Sequence, residues 1–227
     1  MDSVSASDLH DTMRKPLEKL LLKSLQSVDL GMLSNIKQVD QPKALKWLDN
    51  LPQNSLRIPF LHALFPDALF IYIRREAKDN VSSIMDGWKP ASHITQRHLP
   101  NWDNSLAWSY VLPENWQALK GKSLAEIAAF QYTSVNQTIL ADLVSIPSEQ
   151  KYIIEHDDFV QEHARNIKSL CEFCDIPFGP KMKNIANASS LPLSSSTLEP
   201  PAKNKWHKHK VEIDPLFDLV GKTVLQE

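Results

Sequence analysis

The chain has 227 residues, 42% of them hydrophobic, which suits one substantial core and a single domain. Its 25 basic and 27 acidic residues give a formal net charge of −2, so nothing global indicates a nucleic-acid partner, and any anion site must be local. The two cysteines, Cys171 and Cys174, are too few for a disulfide scaffold or a self-contained zinc site, and we expect no metal.

The sequence carries no pattern typical of export or of membrane insertion. Its first residues lack the basic start and apolar run of a secretory signal. The most apolar stretch, residues 58–73, is interrupted by Pro59, Pro66 and Asp67, which argues against a membrane span. With so few cysteines, we expect a cytoplasmic protein in a reducing compartment.

The first third of the chain predicts two helices and then a strand. Leucines recur at helical intervals over residues 17–30, and Pro16 suits the first turn of that helix. A second helix is predicted at residues 54–65, ended by Pro66. Residues 68–73 then form a nearly continuous apolar run, which is typical of a strand buried in a parallel sheet.

The middle of the chain predicts a helix, an irregular stretch and a second helix. Residues 79–88 have helical character, so strand, turn and helix follow one another here. Residues 93–116 are rich in Trp, Pro and Asn, which predicts a long excursion with short helices. Ser123 and Glu126 have the spacing of a capping box and predict the start of a long helix.

The last third predicts one more strand and two helices. A strand at residues 152–154 and a helix at residues 163–174 repeat the alternation of β and α elements, and the helix carries the cysteines on its apolar face. Residues 180–210 are rich in Ser, Pro, Asn and Lys and predict a surface segment, followed by a closing helix at residues 214–219.

Arg74 and Ser82 are candidates for binding an anion. An arginine at the carboxyl end of a parallel strand and a hydroxyl in the next helix make a chemically sensible phosphate site. The guanidinium offers a planar fork and the hydroxyl one more donor. On these residues alone the plainer interpretation is favoured, in which Arg74 pairs with Glu76 or Asp79 and Ser82 is a helix surface residue.

Residues 121–123, Gly-Lys-Ser, match the end of a nucleotide-binding P-loop. However, Trp116 stands where that loop needs its first glycine, and Ser123 is explained by the capping box. The sequence therefore gives no support to an NTPase.

Five ordered segments resemble the bacterial sulfotransferase family. They are residues 47–59 (family "WLDKTPRNSLRIP"), 65–83 ("FPDA.FI.I.RDPRD...S"), 153–160 ("VRYEDLV"), 171–177 ("C.FLGIP") and 191–207 ("LP.S..TL..P...KWR"). The resemblance covers residues 45–213, between a helical segment at 1–44 and a carboxy-terminal helix at 214–227. It implies one α/β domain with a P-loop-like three-layer fold, in which helices flank a parallel sheet.

The resemblance also implies a reaction and its donor. The family transfers a sulfuryl group from 3′-phosphoadenosine 5′-phosphosulfate to a hydroxyl or amine acceptor, and residues 87–117 would line the acceptor site. Its arginine and serine, mapped onto Arg74 and Ser82, bind the 3′-phosphate of the donor. Lys205 and Trp206 match a segment that closes over the nucleotide, and the alternative is a solvated basic segment anchored by Trp206.

The chain departs from the family pattern in three places. None of its five glycines lies in a loop fit to hold the 5′-phosphosulfate, so we expect the first strand and that loop to be missing. Asn50 stands where the family segment has lysine, and Gln53 stands where it has a basic residue. Fewer cations beside the sulfuryl group would weaken transition-state stabilisation.

These departures leave three hypotheses. The first is a sulfotransferase, the second a non-catalytic relative that binds a nucleotide or a partner, and the third a partner-dependent protein whose open sheet edge another copy or chain completes. The catalytic base stays unassigned among His93, His98 and Glu155.

Overall fold

The computed structural model describes residues 5–24, 26–27, 31–32, 46–90, 93–102, 106–189, 191, 193 and 203–224. The helices are α1 (Asp11–Ser24), α2 (Ile58–Leu64), α3 (Ala77–Trp88), α4 (Leu124–Leu143), α5 (His156–Gln161), α6 (His163–Phe173), α7 (Pro180–Ala186) and α8 (Lys210–Val224). The strands are β1 (Gln26–Ser27), β2 (Gly31–Met32), β3 (Phe70–Arg74), β4 (Ile94–Gln96), β5 (Trp108–Ser109) and β6 (Lys151–Glu155). Short 3₁₀ helices lie at Ala6–Asp8, Pro52–Leu56, Trp116–Leu119, Ser148–Gln150 and Lys205–His209.

Strands β3 and β6 form a parallel two-stranded sheet, which confirms the predicted α/β class. Their register runs from Phe70 opposite Lys151 to Arg74 opposite Glu155. Because parallel strands end at the same edge, Arg74 and Glu155 become neighbours at the carboxyl end of the sheet. The two other strand pairs described, β1–β2 and β4–β5, are antiparallel.

Helices pack on both faces of the β3–β6 sheet. Side chains alternate along a strand, so Tyr72 and Tyr152 point to opposite faces of this sheet. Tyr72 packs with Ile139 of α4, and its hydroxyl donates to the Asn136 side chain. On the other face, the rings of Tyr152 and Phe173 lie 5.2 Å apart and join α6 to the sheet. The prediction of a parallel sheet flanked by helices is therefore confirmed.

Helix α4 is the central helix, and it begins as its sequence predicts. The Ser123 hydroxyl accepts from the Glu126 backbone N–H at 3.3 Å, and the Glu126 carboxylate accepts from the Ser123 N–H at 2.8 Å. This reciprocal cap satisfies two backbone donors that a helix start leaves unpaired. Ala128 and Tyr132 of α4 pack against α3, while Ile139 reaches the sheet.

The described residues 93–102 and 106–119 form a packed aromatic layer with a short antiparallel strand pair, where the sequence predicted an excursion with short helices. Trp102 lies edge to face with Trp108 of β5, with ring centroids 5.0 Å apart, and both rings also lie edge to face with Trp116 of the 3₁₀ helix Trp116–Leu119. The Gln131 side chain of α4 accepts from the Trp88 indole at 3.0 Å and donates to two carbonyls of the excursion. This buried amide fixes the layer against the helices.

Several predicted helix boundaries were wrong. The first helix is Asp11–Ser24 rather than residues 17–30, with Pro16 inside it. The helix expected at residues 54–65 is divided at Arg57, whose φ of −136° and ψ of 15° are not helical, and Pro52 begins the first part.

Two more corrections lie near the carboxy terminus. Pro180 starts α7 inside the stretch predicted as surface segment, because proline suits the first helical position. Helix α8 begins at Lys210, not at 214, and contains Pro215. Asp214 and Pro215 have the residue types of a helix start, which misplaced the prediction.

Among the described helices, none combines the length and hydrophobicity that crossing a bilayer requires.

We predict that Gly87→Ala destabilises the protein. A Cβ at Gly87 would lie 1.6 Å from the Tyr110 hydroxyl oxygen and 2.6 Å from its ring, so the aromatic layer must shift. Overpacking of this kind costs about 1–3 kcal/mol, measurable by urea denaturation. Gly179→Ala, whose Cβ would meet no atom within 4 Å, is the control and should cost less. A gain in stability at Gly87, as helix propensity alone would give, would contradict this packing.

Candidate functional site

The carboxyl end of β3 carries two arginines with different partners. Arg74, opposite Glu155 in the sheet, contacts one carboxylate oxygen of Glu155 through Nε at 2.6 Å and through a terminal nitrogen at 2.5 Å. Both side chains are about half exposed. The hydrogen bond to Glu155 raises the pKa of Arg74, so the guanidinium keeps its positive charge. Arg74 is thus committed to an ion pair across the sheet.

Ser82, the predicted partner of Arg74, lies in the core. It is 1% exposed, and its hydroxyl has no hydrogen-bond partner among the described residues. Neighbouring Val81 and Met85 pack in the hydrophobic cluster between α3 and α4. No hydrogen bond in the described part of the chain joins Arg74 to Ser82, and an anion could not reach Ser82 without opening this core.

The structure instead brings together Arg75 and Ser83, one residue further along. A terminal nitrogen of Arg75 donates to the Ser83 hydroxyl at 2.8 Å, and both side chains are only partly buried. The Tyr132 hydroxyl donates to the Arg75 carbonyl at 3.4 Å and ties this turn to α4. A cation and a hydroxyl therefore meet beside α3, whose start is capped by the Glu76 carboxylate, which accepts from the Asp79 backbone N–H at 2.7 Å.

The sequence itself indicates the pair Arg75 and Ser83. Counted from Phe65, the family pattern "FPDA.FI.I.RDPRD...S" places its arginine at position 75 and its serine at position 83. Because Arg74 and Ser82 have the same eight-residue separation, spacing alone does not distinguish the two pairs.

Lys205 and Trp206 lie in a segment that crosses α3, residues 203–214, which we call the strap. The backbone N–H groups of Asn204 and Trp206 donate to the two carboxylate oxygens of Asp79, at 3.1 and 3.0 Å. The Trp206 ring packs against the α3–α4 core, with the Lys78 ammonium 4.3 Å from its centre. Lys205, between the two donating residues, is half-buried.

Charged side chains fasten the rest of the strap. Lys78 pairs with Asp214 at 2.7 Å. Asp86 accepts from Lys208 at 2.7 Å and from the buried His209 at 2.9 Å. Burial opposes ionisation of Asp86, but these two hydrogen bonds outweigh it, so the pKa of Asp86 lies below its usual value.

The proton-transfer candidates differ in surroundings. Glu155 is held by Arg74, His98 is exposed, and the His93 ring stacks on Tyr110 at 4.6 Å. Burial raises the pKa of Tyr110 to about 12 and that of Tyr72 to about 12, so neither phenol ionises near neutral pH. The geometry selects no base among them.

A cleft of about 440 Å³ lies on the side of α4 that is turned away from Arg75. Its lining is mostly polar and consists of Leu56, Pro113, Glu114, Asn115, Phe130, Ser134, Gln137 and Thr138. Ser134 follows Tyr132 by two residues, about 200° around the helix, so the cleft opens opposite the side that faces Arg75. It includes residues 113–115 of the stretch expected to line an acceptor site, but it is separate from the Arg75–Ser83 pair.

The cysteines of α6 and its end are free thiols. Cys171 is buried and Cys174 is partly buried, in agreement with a packing role. Burial raises the pKa of the Cys174 thiol, which disfavours the reactive thiolate. Within the described residues, no three His, Cys, Asp or Glu side chains are gathered as a metal site would need.

Comparison with known proteins identifies the family. A profile of the sulfotransferase family matches residues 8–180. Since this match spans most of the chain, the protein belongs to the sulfotransferase family. The matched range includes Arg75 and Ser83, whereas the strap lies beyond it.

Among solved structures, the chain is similar to the sulfotransferase domain from the curacin biosynthetic pathway. The two share 16% sequence identity with a TM-score of 0.42, over 72% of this chain. The chain spans 60% of the length of that domain. Comparison with curated protein sequences gives no match.

We predict that Asp86→Asn destabilises the protein in a pH-dependent way. A carboxylate whose native pKa is lowered contributes fully above its unfolded pKa, near 4, and this contribution disappears as the pH falls through the lower native value. Losing one of these hydrogen bonds, and the charge that strengthens the other, should cost about 1–2 kcal/mol at pH 7 and less at pH 3. Urea denaturation over this range measures the difference.

Asp67→Asn, which changes an exposed carboxylate, is the matched control and should have little effect at any pH. A cost for Asp86→Asn that stays constant down to pH 3 would contradict the role of the ionised carboxylate.

Proposed function

We propose that the protein is a sulfotransferase that uses 3′-phosphoadenosine 5′-phosphosulfate as donor and a hydroxyl or amine as acceptor. Membership of the sulfotransferase family supports this class of reaction. The observation that carries the proposal is the Arg75–Ser83 pair, in which a cation and a hydroxyl meet at the carboxyl end of a parallel strand. Ligands of open α/β sheets bind at this edge.

In this proposal Arg75 and Ser83 bind the 3′-phosphate of the donor. The guanidinium carries five N–H donors, so the bond to Ser83 leaves others for phosphate oxygens. Because the Ser83 hydroxyl accepts from Arg75, its own hydrogen is free to be donated to the same phosphate. Partial exposure of both side chains allows the ligand to approach, which Ser82, 1% exposed, does not.

We assign different roles to Lys205 and Trp206 of the strap. Lys205 would neutralise part of the nucleotide's phosphate charge. Trp206 would anchor the strap, because its ring packs on the α3–α4 core and is covered by Lys78. This assignment follows the anchoring alternative for Trp206 and keeps Lys205 as the nucleotide contact.

Nucleotide binding without transfer is a second candidate function. Asn50 stands where the family segment carries a lysine, and Gln53 stands where it carries a basic residue. Asn50 precedes the 3₁₀ helix Pro52–Leu56, and Gln53 lies in its first turn. Cations beside the transferring group supply much of the catalysis in the analogous phosphoryl transfer. Their absence from these two positions would leave binding intact and slow the chemical step.

We predict that desulfated donor, 3′-phosphoadenosine 5′-phosphate, stabilises the wild-type protein. At about a hundred times the dissociation constant, the gain is roughly 2.7 kcal/mol, which a thermal-shift titration detects. Arg75→Ala and Ser83→Ala should abolish or strongly reduce the shift. The matched controls Arg74→Ala and Ser82→Ala should keep it, because Arg74 serves Glu155 and Ser82 is buried.

If only Arg74→Ala and Ser82→Ala reduced the thermal shift, the proposed site would instead consist of Arg74 and Ser82. No shift in a folded wild-type protein would overturn the nucleotide-binding proposal. To separate the two candidate functions, release of desulfated donor is then followed with a panel of hydroxyl and amine acceptors. Acceptor-dependent release that Arg75→Ala reduces supports a transferase, and binding without release supports the second candidate.

A further inference from the structure

Asp79 is a buried carboxylate whose partners lie far away in the chain. It is 7% exposed and sits in the first turn of α3. Its two oxygens accept from the backbone N–H groups of Asn204 and Trp206, more than 120 residues later. A buried carboxylate is retained only where its charge is compensated, and here two backbone donors of the strap provide that compensation.

The two bonds fix the backbone on both sides of Lys205. Asn204 adopts a left-handed conformation, with φ of 59°, and the 3₁₀ helix Lys205–His209 begins directly after it. This turn directs the N–H groups of residues 204 and 206 to the same carboxylate. Lys205, whose side chain is half-buried, is therefore carried by a backbone segment held at both neighbours.

Asp79 also lies near Ser83 of the proposed phosphate site. It precedes Ser83 by four residues on α3, which is about one helical turn, whereas Arg75 lies before the helix begins. The strap is consequently attached about one turn from Ser83. The other attachments, Lys78 to Asp214 and Asp86 to Lys208 and His209, hold later parts of the strap through side chains.

We infer that Asp79 is a positioning residue, which holds the strap so that Lys205 reaches the phosphate groups of the bound nucleotide. This inference rests on the proposed function. Asp79 itself does not touch the ligand, because both of its oxygens face the strap backbone. Its effect on affinity is transmitted entirely through Lys205.

A double-mutant cycle tests this inference. Asp79→Asn replaces one acceptor oxygen by an amide that cannot accept from the strap, so the dissociation constant for 3′-phosphoadenosine 5′-phosphate should rise about tenfold. Lys205→Ala should raise it to a similar extent. In the Lys205→Ala background, Asp79→Asn should have no further effect, because the two residues act through one contact.

Asp79→Glu keeps the charge on a longer side chain and should restore part of the affinity. Asp142→Asn, which changes a partly buried aspartate near the end of α4, is the matched control and should leave the dissociation constant unchanged. Hydrogen exchange gives a second readout, since the amides of Asn204 and Trp206 should exchange faster in Asp79→Asn without nucleotide present.

Three results would overturn the inference. The first is unchanged affinity in Asp79→Asn despite faster exchange at Asn204 and Trp206. The second is an additive loss in the double variant, which would mean that Asp79 acts on binding independently of Lys205. The third is a wild-type protein that does not bind the nucleotide, which overturns the proposed function as well, whereas the first two leave that function standing.

Discussion

The parallel pairing of β3 with β6 is the interaction on which the rest of the site depends. It places the ends of two distant strands at one edge and gives Arg74 a carboxylate partner in Glu155. Because this neighbour occupies Arg74, the next residue, Arg75, is the one that turns towards α3 and Ser83. The sheet thereby gives two adjacent arginines different partners, a carboxylate for Arg74 and a hydroxyl for Arg75.

Helix α3 joins the sheet, the aromatic layer and the strap. Val81 and Met85 face the core with α4, Gly87 allows close contact with Tyr110, and Asp79 and Asp86 receive the strap. Apolar burial on one side holds the helix in place and contributes most of its stability. The polar contacts on the other side add specificity, since each carboxylate accepts from particular donors rather than from a general apolar surface.

Sequence signals that act over a few residues predicted helices and strands, whereas contacts between distant residues could not be predicted. The apolar run at 68–73 and the capping box at Ser123 act over a few residues, so β3 and α4 were found. The start of α8 was missed because Asp214 and Pro215 imitate a helix start. The hydrogen bonds from the strap to Asp79 join residues 125 or more apart, so no local pattern predicts them. Arg74 with Ser82 and Arg75 with Ser83 share one spacing, and only the count from Phe65 distinguishes the two pairs.

The sequence separation of the paired strands also constrains the order of folding. Arg74 and Glu155 are 81 residues apart, so the sheet closes a long loop, which costs more chain entropy than forming α3 or α4. During synthesis β3 has no β6 to pair with until residue 155 has left the ribosome, while α4 and its cap are already complete. Asp79 remains without its hydrogen-bond donors for longer still, since they are at least 125 residues away. Synthesis therefore delivers Arg75 and Ser83 early and the strap that packs on α3 last.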